Sequence, residues 1–287
     1  MKLVNFKVGE KIRLGIKTEK GIIDVVKAAE DYSFKSYNTI EEVIDKGEKA
    51  LLKLNELMKK GVETIPEDEI VYAPPLIKPE KILCIASNYI THSQKSNAND
   101  KALPVIFSKF NNALAAHNQI ISLPKCGEKF DYEAELVIVI GKEAKNISKE
   151  AALSCVFGYT AGNDLSARDL QRKTHQWLIG KTCDNFAPIG PCLVTADEID
   201  ASNLEIQCKV NGELRQYGNT RDMIFDCAEM VSYISNYMTL KPGDIIFTGT
   251  PGGAISTYPE DKQEWLKSGD EIMVSIEKIG NIINVLK

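Results

Sequence analysis

The sequence contains no long apolar run, because about 18 uncharged apolar residues, the length of a membrane-spanning helix, never follow one another. The N-terminus carries Lys2 and Lys7 and has no apolar stretch of signal-peptide length. Both absences argue against a helical membrane protein and against secretion. We therefore expect a cytoplasmic protein with no membrane partner.

Charge of one sign is not concentrated anywhere in the chain. The 35 Lys and Arg residues nearly balance the 40 Asp and Glu residues, the formal net charge is −5, and no block of Lys and Arg occurs. Nucleic acids and anionic membranes bind basic patches, so we expect neither as a partner. At 287 residues, with 44% hydrophobic and 26% charged residues, the chain has the composition of a globular protein with a full core.

Cysteine and histidine are too sparse and too scattered for a zinc site. The seven cysteines form no Cys-x-x-Cys pair, and the three histidines complete no zinc spacing. Cys84, Cys155 and Cys208 lie within apolar runs, as small core residues do. An odd number of cysteines without a paired framework fits a reducing compartment.

The N-terminal part of the chain has its own pattern. Short alternating segments over residues 1–25 predict a small antiparallel sheet. Thr39 followed by Glu42 is a capping-box signature, and apolar residues at helical spacing up to Gly61 predict one amphipathic helix. Residues 63–79 include four prolines, which predicts a linker. The predicted domains are a small N-terminal α+β domain of residues 1–73 and a larger domain of residues 74–287.

Two carboxylates open an otherwise apolar strand at residues 131–141. Alternate residues of a strand share a face, so Glu133 and Glu135 lie about 6–7 Å apart along one face and repel each other unless a positive charge lies between them. Acidic residues at the start of a strand are often merely exposed. A third carboxylate, Asp164, ends a second apolar run, residues 156–163. Together the three carboxylates predict a site for a hard divalent cation.

Residues 165–171 follow directly after Asp164. If they are helical, Asp164, Arg168 and Gln171 lie on one face, since offsets of four and seven residues return to within about 40° of the start. An acid, a guanidinium and an amide on one face suit a metal-bound carboxylate substrate. An Asp-Arg pair on a solvated helix face is the alternative interpretation.

Lys181 and Thr250 lie in segments that hold a side chain in a fixed place. Lys181 belongs to the loop 180–191, which contains two prolines, and a phosphate-loop interpretation fails because His175 stands where that motif requires glycine. Thr250 belongs to the Gly-rich segment 249–253 at a predicted strand end. That segment either brings N–H groups and a hydroxyl close to an anion or simply turns a corner.

A polar tract follows the predicted core strand 81–86 and contains His92. Such a tract is either a surface loop or a lid over a site, and we expect residues 89–102 to be mobile without ligand. Histidine titrates near neutral pH, which makes His92 a candidate acid or base.

Two local signals elsewhere predict secondary structure. Asn211-Gly212 lies between two strand-like segments and predicts a hairpin with a type I′ turn. Asp226 and Glu229 have the spacing of a capping box and predict a helix that runs to about Met238.

Four stretches, in order, resemble signatures of the fumarylacetoacetate hydrolase family. They are Tyr132-Glu133-Ala134-Glu135-Leu136, residues 158–171, residues 180–191 and Gly249-Thr250-Pro251-Gly252-Gly253. The resemblance covers roughly residues 81–287. It implies an α+β fold, with a catalytic domain that is a mixed β-sandwich roll and the small N-terminal α+β domain before it.

The resemblance also implies a function and a site. It implies a homodimer with one Mg²⁺ or Mn²⁺ per active site and a small 2-oxo acid as substrate. Such cations prefer oxygen ligands, and three carboxylates leave about three octahedral positions for water and a chelating substrate. By resemblance the metal ligands are Glu133, Glu135 and Asp164. The substrate contacts are Lys181, Thr250, Arg168 and Gln171, and the catalytic residues are His92 and Lys181.

One departure from the family pattern leaves the reaction open. Hydrolases of the family carry His-x-x-Glu in this segment, whereas here Lys95 stands three residues after His92. Without that Glu, His92 loses the partner that would raise its basicity and activate water. The first hypothesis is a metal-dependent hydrolase that cleaves a C–C bond in an acylpyruvate-like β-diketo acid. The second is an oxaloacetate-type decarboxylase or keto-enol tautomerase on the same site. The third is a non-catalytic metal- or ligand-binding dimer. A substitute acid such as Asp100 is a further alternative for activating water.

Overall fold

The fold is described by a computed structural model that covers residues 1–32, 36–89 and 103–287. Its first nine strands are β1 (Lys2–Val8), β2 (Lys11–Thr18), β3 (Gly21–Asp24), β4 (Val71–Ala73), β5 (Ile82–Ala86), β6 (Val105–Lys109), β7 (Leu114–Ala115), β8 (Phe130–Asp131) and β9 (Ala134–Ile140). The later strands are β10 (Val156–Asn163), β11 (Ser166–Ala167), β12 (Ala187–Thr195), β13 (Glu205–Val210), β14 (Glu213–Asn219), β15 (Ile245–Phe247), β16 (Glu271–Ile276) and β17 (Gly280–Val285). The α-helices are α1 (Val25–Asp31), α2 (Ile40–Lys46), α3 (Glu48–Met58), α4 (Lys149–Ala152), α5 (Arg168–Gln171), α6 (Leu178–Lys181) and α7 (Cys227–Tyr237).

The strands form one large sheet and two smaller ones. The large sheet has 11 strands along the path β3-β2-β1-β12-β10-β9-β15-β5-β6, with β4 beside β1 and β7 beside β12. A four-stranded sheet has the order β14-β13-β16-β17, and β11 pairs with β8. The large sheet is mixed, because β15 runs parallel to β5 and antiparallel to β9. The predicted α+β class with mixed sheets is confirmed.

The N-terminal strands continue the large sheet. Strand β1 pairs with β12 through Lys2↔Val194 and Leu3↔Leu193. The sheet of residues 1–25 is antiparallel, as predicted, but it shares its hydrogen bonding with the later part of the chain. A domain boundary between residues 73 and 74 stays a prediction.

Strand β9 lies between β10 and β15, and both of its faces are covered. Leu136 and Ile138 belong to a core that the four-stranded sheet shares, whereas Val137 and Val139 belong to a second core under α2 and α3. All seven residues of β9 are buried. The strand that begins at the acidic pair is therefore a central strand, not an exposed edge.

The predicted helix from Thr39 to Gly61 is two helices. Thr39 caps α2 as expected, since its side chain accepts a hydrogen bond from the N–H of Glu42. Gly47 then adopts φ 55°, which helical residues do not, and α3 begins at the next residue. The expectation of a single helix was wrong because glycine ends the first helix within an unbroken apolar pattern.

The predicted hairpin at Asn211-Gly212 and the predicted capping box at Asp226 are confirmed. Strands β13 and β14 form a hairpin, and Asn211 and Gly212 take the positive φ values of 51° and 81° that its turn requires. Helix α7 begins with the capping box of Asp226 and Glu229. All seven cysteines are free. Among the described residues, no helix is both long and apolar enough to cross a membrane.

Candidate active site

The pairing of β9 with β10 brings the three predicted carboxylates together. Glu133 directly precedes β9, and the N–H of Asp164 donates to the carbonyl of Glu133 at 2.9 Å. Glu135 pairs with Gly162, two residues before Asp164. One carboxylate oxygen from each of the three acids lies within 4.8 Å of the others. Glu135 and Asp164 are buried, with 2% and 1% of their surfaces exposed, so they do not belong to a solvated lip.

Two buried lysines contact these carboxylates. Lys181 Nζ lies 2.5 Å from Glu133 Oε2 and 2.7 Å from Asp164 Oδ2. Lys109 Nζ lies 2.6 Å from Asp164 Oδ1, but it is out of line for a hydrogen bond to that oxygen. Lys109 instead donates to the carbonyls of Leu165 and Phe186, at 3.0 and 2.6 Å. Asp164 is thus paired with one lysine on each oxygen.

Arg168 lies beside Glu133, and each of its three guanidinium nitrogens donates to a side chain of the protein. Its Nε donates to Asp131 Oδ2 at 2.8 Å, its Nη2 to Glu133 Oε1 at 2.8 Å and its Nη1 to Gln171 Oε1 at 3.1 Å. Asp131 in turn accepts from the backbone N–H of Ile255. This arrangement holds the Glu133 carboxylate in place, and a direct contact between Arg168 and a substrate stays a prediction.

Thr250 follows strand β15, and hydrogen bonds hold its side chain at the start of β9. Its hydroxyl donates to the carbonyl of Ala134 at 2.8 Å and accepts from Gln216 Nε2 at 2.9 Å. Gln216 also accepts from the N–H of Ala134, so it links the start of β9 to the Gly-rich segment. The N–H of Gly249 donates to Glu135 Oε2 at 2.7 Å. The segment 249–253 therefore brings one N–H to a carboxylate of the site.

These residues surround a cavity of about 130 Å³. Gln171, Lys181 and Thr250 line it together with the three carboxylates, and Phe107 and Trp177 form an aromatic wall. Lys181 Nζ lies 4.9 Å from the centre of the Phe107 ring. Because drug-sized ligands occupy cavities of about 300–1,000 Å³, the space within the described residues suits a small acid of a few carbons.

The pKa values of Glu133 and Glu135 are shifted in opposite directions. Burial acts to raise the pKa of Glu133, but Arg168 and Lys181 outweigh it and lower the pKa to about 2. Burial, together with the charges of Asp164 and Glu133, holds the pKa of Glu135 well above its usual value. Burial acts to lower the pKa of Lys181, but Asp164 and Glu133 outweigh it and raise the pKa above the ordinary value. Lys181 is therefore a stable cation.

The residues fit a hard divalent cation. The site and its supports contain four carboxylates, Asp131, Glu133, Glu135 and Asp164, against three cations, Lys109, Arg168 and Lys181. The Oδ1 atom of Asp164 is buried and has no hydrogen-bond partner among the described residues. Burial is the largest cause of the raised pKa of Glu135, and the charges of Asp164 and Glu133 add to it more than Lys181 offsets it. Oxygen donors with surplus negative charge are the ligands that Mg²⁺ and Mn²⁺ prefer.

The predicted helix over residues 165–171 is shorter than expected. Ser166 and Ala167 form β11, and the helical turn α5 begins only at Arg168. Asp164 precedes the helix, so the expected helical face does not include it. Asp164, Arg168 and Gln171 nevertheless line the same cavity, because the chain bends between strand and helix.

Three residues of the predicted lid lie outside the described residues. They are His92, Lys95 and Asp100, and residues 90–102 as a whole lie outside as well. Both the catalytic role of His92 and the mobility of this segment stay predictions.

Comparison with known proteins identifies the family. A sequence model described as fumarylacetoacetate (FAA) hydrolase C-terminal matches residues 81–287, which is most of the chain. The chain belongs to the fumarylacetoacetate hydrolase family. The resemblance of the four sequence stretches is thereby confirmed.

Relatives and solved structures of this family match the whole chain. A mitochondrial oxaloacetate tautomerase of Rattus norvegicus is 37% identical over 286 residues, which are 99% of this chain and 91% of that protein. The fumarylacetoacetate hydrolase structure from Exiguobacterium antarcticum is 32% identical, with a TM-score of 0.89, and covers 100% of this chain and 99% of that one. A maleylpyruvate hydrolase from Sphingobium sp. SYK-6, in complex with manganese(II) and pyruvate, is 29% identical with a TM-score of 0.81 and covers 100% of this chain and 98% of that one.

Sequence reasoning missed three residues of this fumarylacetoacetate hydrolase family site. Lys109 ends strand β6, Asp131 opens the acidic stretch, and Gln216 lies in the hairpin strand β14. The i, i+2, i+4 spacing of Asp131, Glu133 and Glu135 was a signal for Asp131. For Lys109 and Gln216 no local signal exists, because their partners are distant in sequence.

Proposed function

We propose that the protein is a divalent-metal-dependent keto-enol tautomerase of oxaloacetate. The observation that carries this proposal is the group of three carboxylates, two of them paired with Lys181, that line a cavity sized for a small acid. The choice of substrate and reaction is supported by the rat relative, an oxaloacetate tautomerase that matches 99% of this chain. The manganese and pyruvate in the Sphingobium enzyme support a metal and a 2-oxo acid.

Glu133, Glu135 and Asp164 would hold the cation. A bound Mg²⁺ or Mn²⁺ would act as a Lewis acid that favours negative charge on a substrate oxygen. Arg168 keeps the Glu133 carboxylate oriented, and the N–H of Gly249 does the same for Glu135. The protein therefore supplies ligands whose directions are fixed before a substrate arrives.

The tautomerisation moves one proton between C3 and the oxygen on C2. We assign Lys181 as the cation that stabilises negative charge on the C2 oxygen, because its raised pKa keeps Nζ protonated and its side chain lines the cavity. We assign His92 as the base that takes the proton from C3 and delivers it through water to the C2 oxygen, so that one proton is moved and none is lost. Gln171 and Thr250 line the same cavity and are the proposed contacts to the substrate carboxylates.

Hydrolysis of an acylpyruvate is the second candidate. The match to a maleylpyruvate hydrolase favours it, since that enzyme has the same fold over the whole chain. Lys95 in place of Glu disfavours it, because water activation needs a stronger base than His92 provides alone. Decarboxylation of oxaloacetate uses the same cation and Lys181. The non-catalytic alternative is disfavoured because both the carboxylates and Lys181 are in place.

A side-by-side assay of the purified, metal-stripped protein tests the proposal. Enol oxaloacetate, keto oxaloacetate and an acylpyruvate are supplied with and without Mg²⁺ or Mn²⁺, and ketonisation, CO₂ release and C–C hydrolysis are recorded. We expect metal-dependent ketonisation to be the fastest of the three reactions. Faster acylpyruvate hydrolysis would favour the second candidate, and no reaction with either metal would favour the non-catalytic one.

Assembly and compartment are separate proposals. We propose a homodimer, which light scattering on the purified protein tests directly. We propose the cytoplasm as the compartment from the sequence, although the rat relative is mitochondrial. Fractionation of cells that express the full chain distinguishes the two locations.

A further inference from the structure

A second cavity, larger than the candidate active site, lies beside the N-terminus of α7. Its volume is about 700 Å³, within the range of about 300–1,000 Å³ that small-molecule sites occupy. It shares no lining residue with the candidate active site. Its apolar wall includes Leu153, Ile199, Met223 and Ile224. The cavity therefore has room and apolar surface for a ligand of its own.

The hydroxyl of Tyr159 lies at this cavity and is free to form a hydrogen bond. The side chain lines the cavity, only 4% of the residue is exposed, and its hydroxyl has no hydrogen-bond partner among the described residues. Burial raises the pKa of Tyr159, and the nearby Cys227 and Asp200, which line the same cavity, raise it further. The hydroxyl faces the open space of the cavity, so an acceptor bound there could receive its hydrogen bond.

The first turn of α7 offers further donors. Glu229 N–H is capped by the Asp226 side chain, and Met230 N–H bonds to the carbonyl of Asp226. Within the described part of the chain, the N–H groups of Cys227 and Ala228 have no acceptor, and both residues line the cavity. They carry the positive end of an 11-residue helix.

Arg221 adds a positive charge at the rim of the cavity. The residue is exposed, and its guanidinium forms no ion pair with any residue in the described ranges. Its charge is therefore available to a ligand that reaches the rim.

The carboxylates of this cavity are, in contrast, already engaged. Asp200 Oδ1 accepts from the N–H and the hydroxyl of Ser202. Asp226 and Glu229 both pair with Lys149, at 2.7 and 3.2 Å. The Tyr159 hydroxyl, the two N–H groups of α7 and the Arg221 guanidinium are hydrogen-bond donors without a partner among the described residues, and an anionic acceptor matches them.

We propose that this cavity is a second binding site, for a small amphipathic carboxylate. Its carboxylate contacts the Tyr159 hydroxyl, Arg221 and the first turn of α7, and its apolar part packs on Ile199, Met223 and Ile224. The site is independent of the proposed function, because it shares no residue with the three-carboxylate cluster.

Calorimetric titration of the full chain with octanoate tests the proposal. We expect saturable binding by the wild type, and no saturable binding of octylamine, which has the same chain but the opposite charge. Tyr159→Phe removes only the hydroxyl and should weaken octanoate binding about 10-fold, the effect of one hydrogen bond to a charged group. Arg221→Gln changes an exposed residue and should weaken it roughly 3-fold. Lys267→Gln, an exposed lysine outside the cavity, is the matched control and should bind like the wild type.

Three outcomes would overturn the proposal. The first is no saturable octanoate binding, or equal binding of octanoate by the wild type and both cavity variants. The second is loss of binding in Glu135→Gln, since octanoate would then occupy the candidate active site. The third is a change of oligomeric state in Arg221→Gln without any octanoate binding by the wild type, which would make this cavity an interface with a second copy.

Discussion

Lys109 Nζ lies 2.6 Å from Asp164 Oδ1, and both side chains are buried, with 0% and 1% of their surfaces exposed. The pair joins the end of β6, at the edge of the large sheet, to the residue that follows β10 near its centre. Lys109 also donates to two backbone carbonyls, of Leu165 and Phe186. A single buried cation thus ties three segments of the chain around a proposed metal ligand.

Lys109→Met should destabilise the protein strongly. The substitution leaves the buried Asp164 carboxylate with one cation fewer and two carbonyls without a donor, and breaking a buried ion pair costs about 3–5 kcal/mol. Urea unfolding of the metal-free protein measures the loss. Lys267→Met, at an exposed position, should change the free energy of unfolding by less than about 0.5 kcal/mol. Equal stabilities of the two variants would show that Lys109 contributes nothing of this kind.

Glu135→Gln should weaken metal binding while it preserves the shape of the side chain. The amide retains an oxygen that can accept from the N–H of Gly249, but it lacks the charge that a divalent cation needs. Loss of an outer partner of a metal ligand already costs about 10–100-fold in affinity, so loss of a ligand's charge should cost at least about 100-fold. Calorimetry with Mn²⁺ measures the change, and Glu143→Gln at an exposed position is the control. Unchanged affinity in Glu135→Gln would remove Glu135 from the ligand set.

Stability should fall as the pH drops below about 6.5, because of His117. Burial lowers the pKa of His117, with Lys17 adding to this effect and Glu67 opposing it. Its Nδ1 also accepts from the N–H of Ile283, which requires the neutral ring. A lowered folded pKa means that the unfolded chain binds the proton first, so this stability is present above about pH 6.5 and is lost as the pH falls through the folded pKa.

Unfolding by urea at pH 7.5 and 5.5 isolates this contribution. The wild type should lose more stability between the two pH values than His117→Gln does, because Gln retains an acceptor and does not titrate. The same pH dependence in both proteins would assign the loss to carboxylates elsewhere.

Lys95→Glu should raise acylpyruvate hydrolysis. A carboxylate three residues after His92 can accept the ring proton and increase the basicity of the imidazole, and a general base contributes about 10²–10⁴-fold. Ketonisation of oxaloacetate should change less, because a C3 proton next to a ketone is more acidic than water and needs a weaker base than water activation does. Steady-state rates with both substrates measure the two effects. If the wild type already hydrolyses acylpyruvates well and the variant does so equally, another residue activates water.

The sequence was informative where a signal is local. Glu133 and Glu135 have strand spacing, Asn211-Gly212 is a turn signal, and Asp226 with Glu229 is a capping box, and the structure contains the corresponding elements. The N-terminal helix was not predicted correctly, because the apolar pattern continues through Gly47 and only the backbone shows the break.

Contacts between residues distant in the chain could not be predicted from the sequence. Lys109 and Asp164 are 55 residues apart, and a lysine at the end of a strand is usually exposed. Gln216 reaches Ala134 and Thr250 from another sheet. Such pairs depend on how the sheets pack, which no short window of residues encodes.

The ketonisation of enol oxaloacetate by the Mn²⁺-loaded protein, compared between the wild type and Glu135→Gln, tests the central claim most directly. A Lewis acid contributes several kcal/mol, so the variant should lose at least about 10²-fold in rate at equal metal concentration, while Glu143→Gln keeps the wild-type rate. Equal rates for the wild type and Glu135→Gln, or no ketonisation by the wild type, would contradict the assignment of the three carboxylates to a metal-dependent tautomerase.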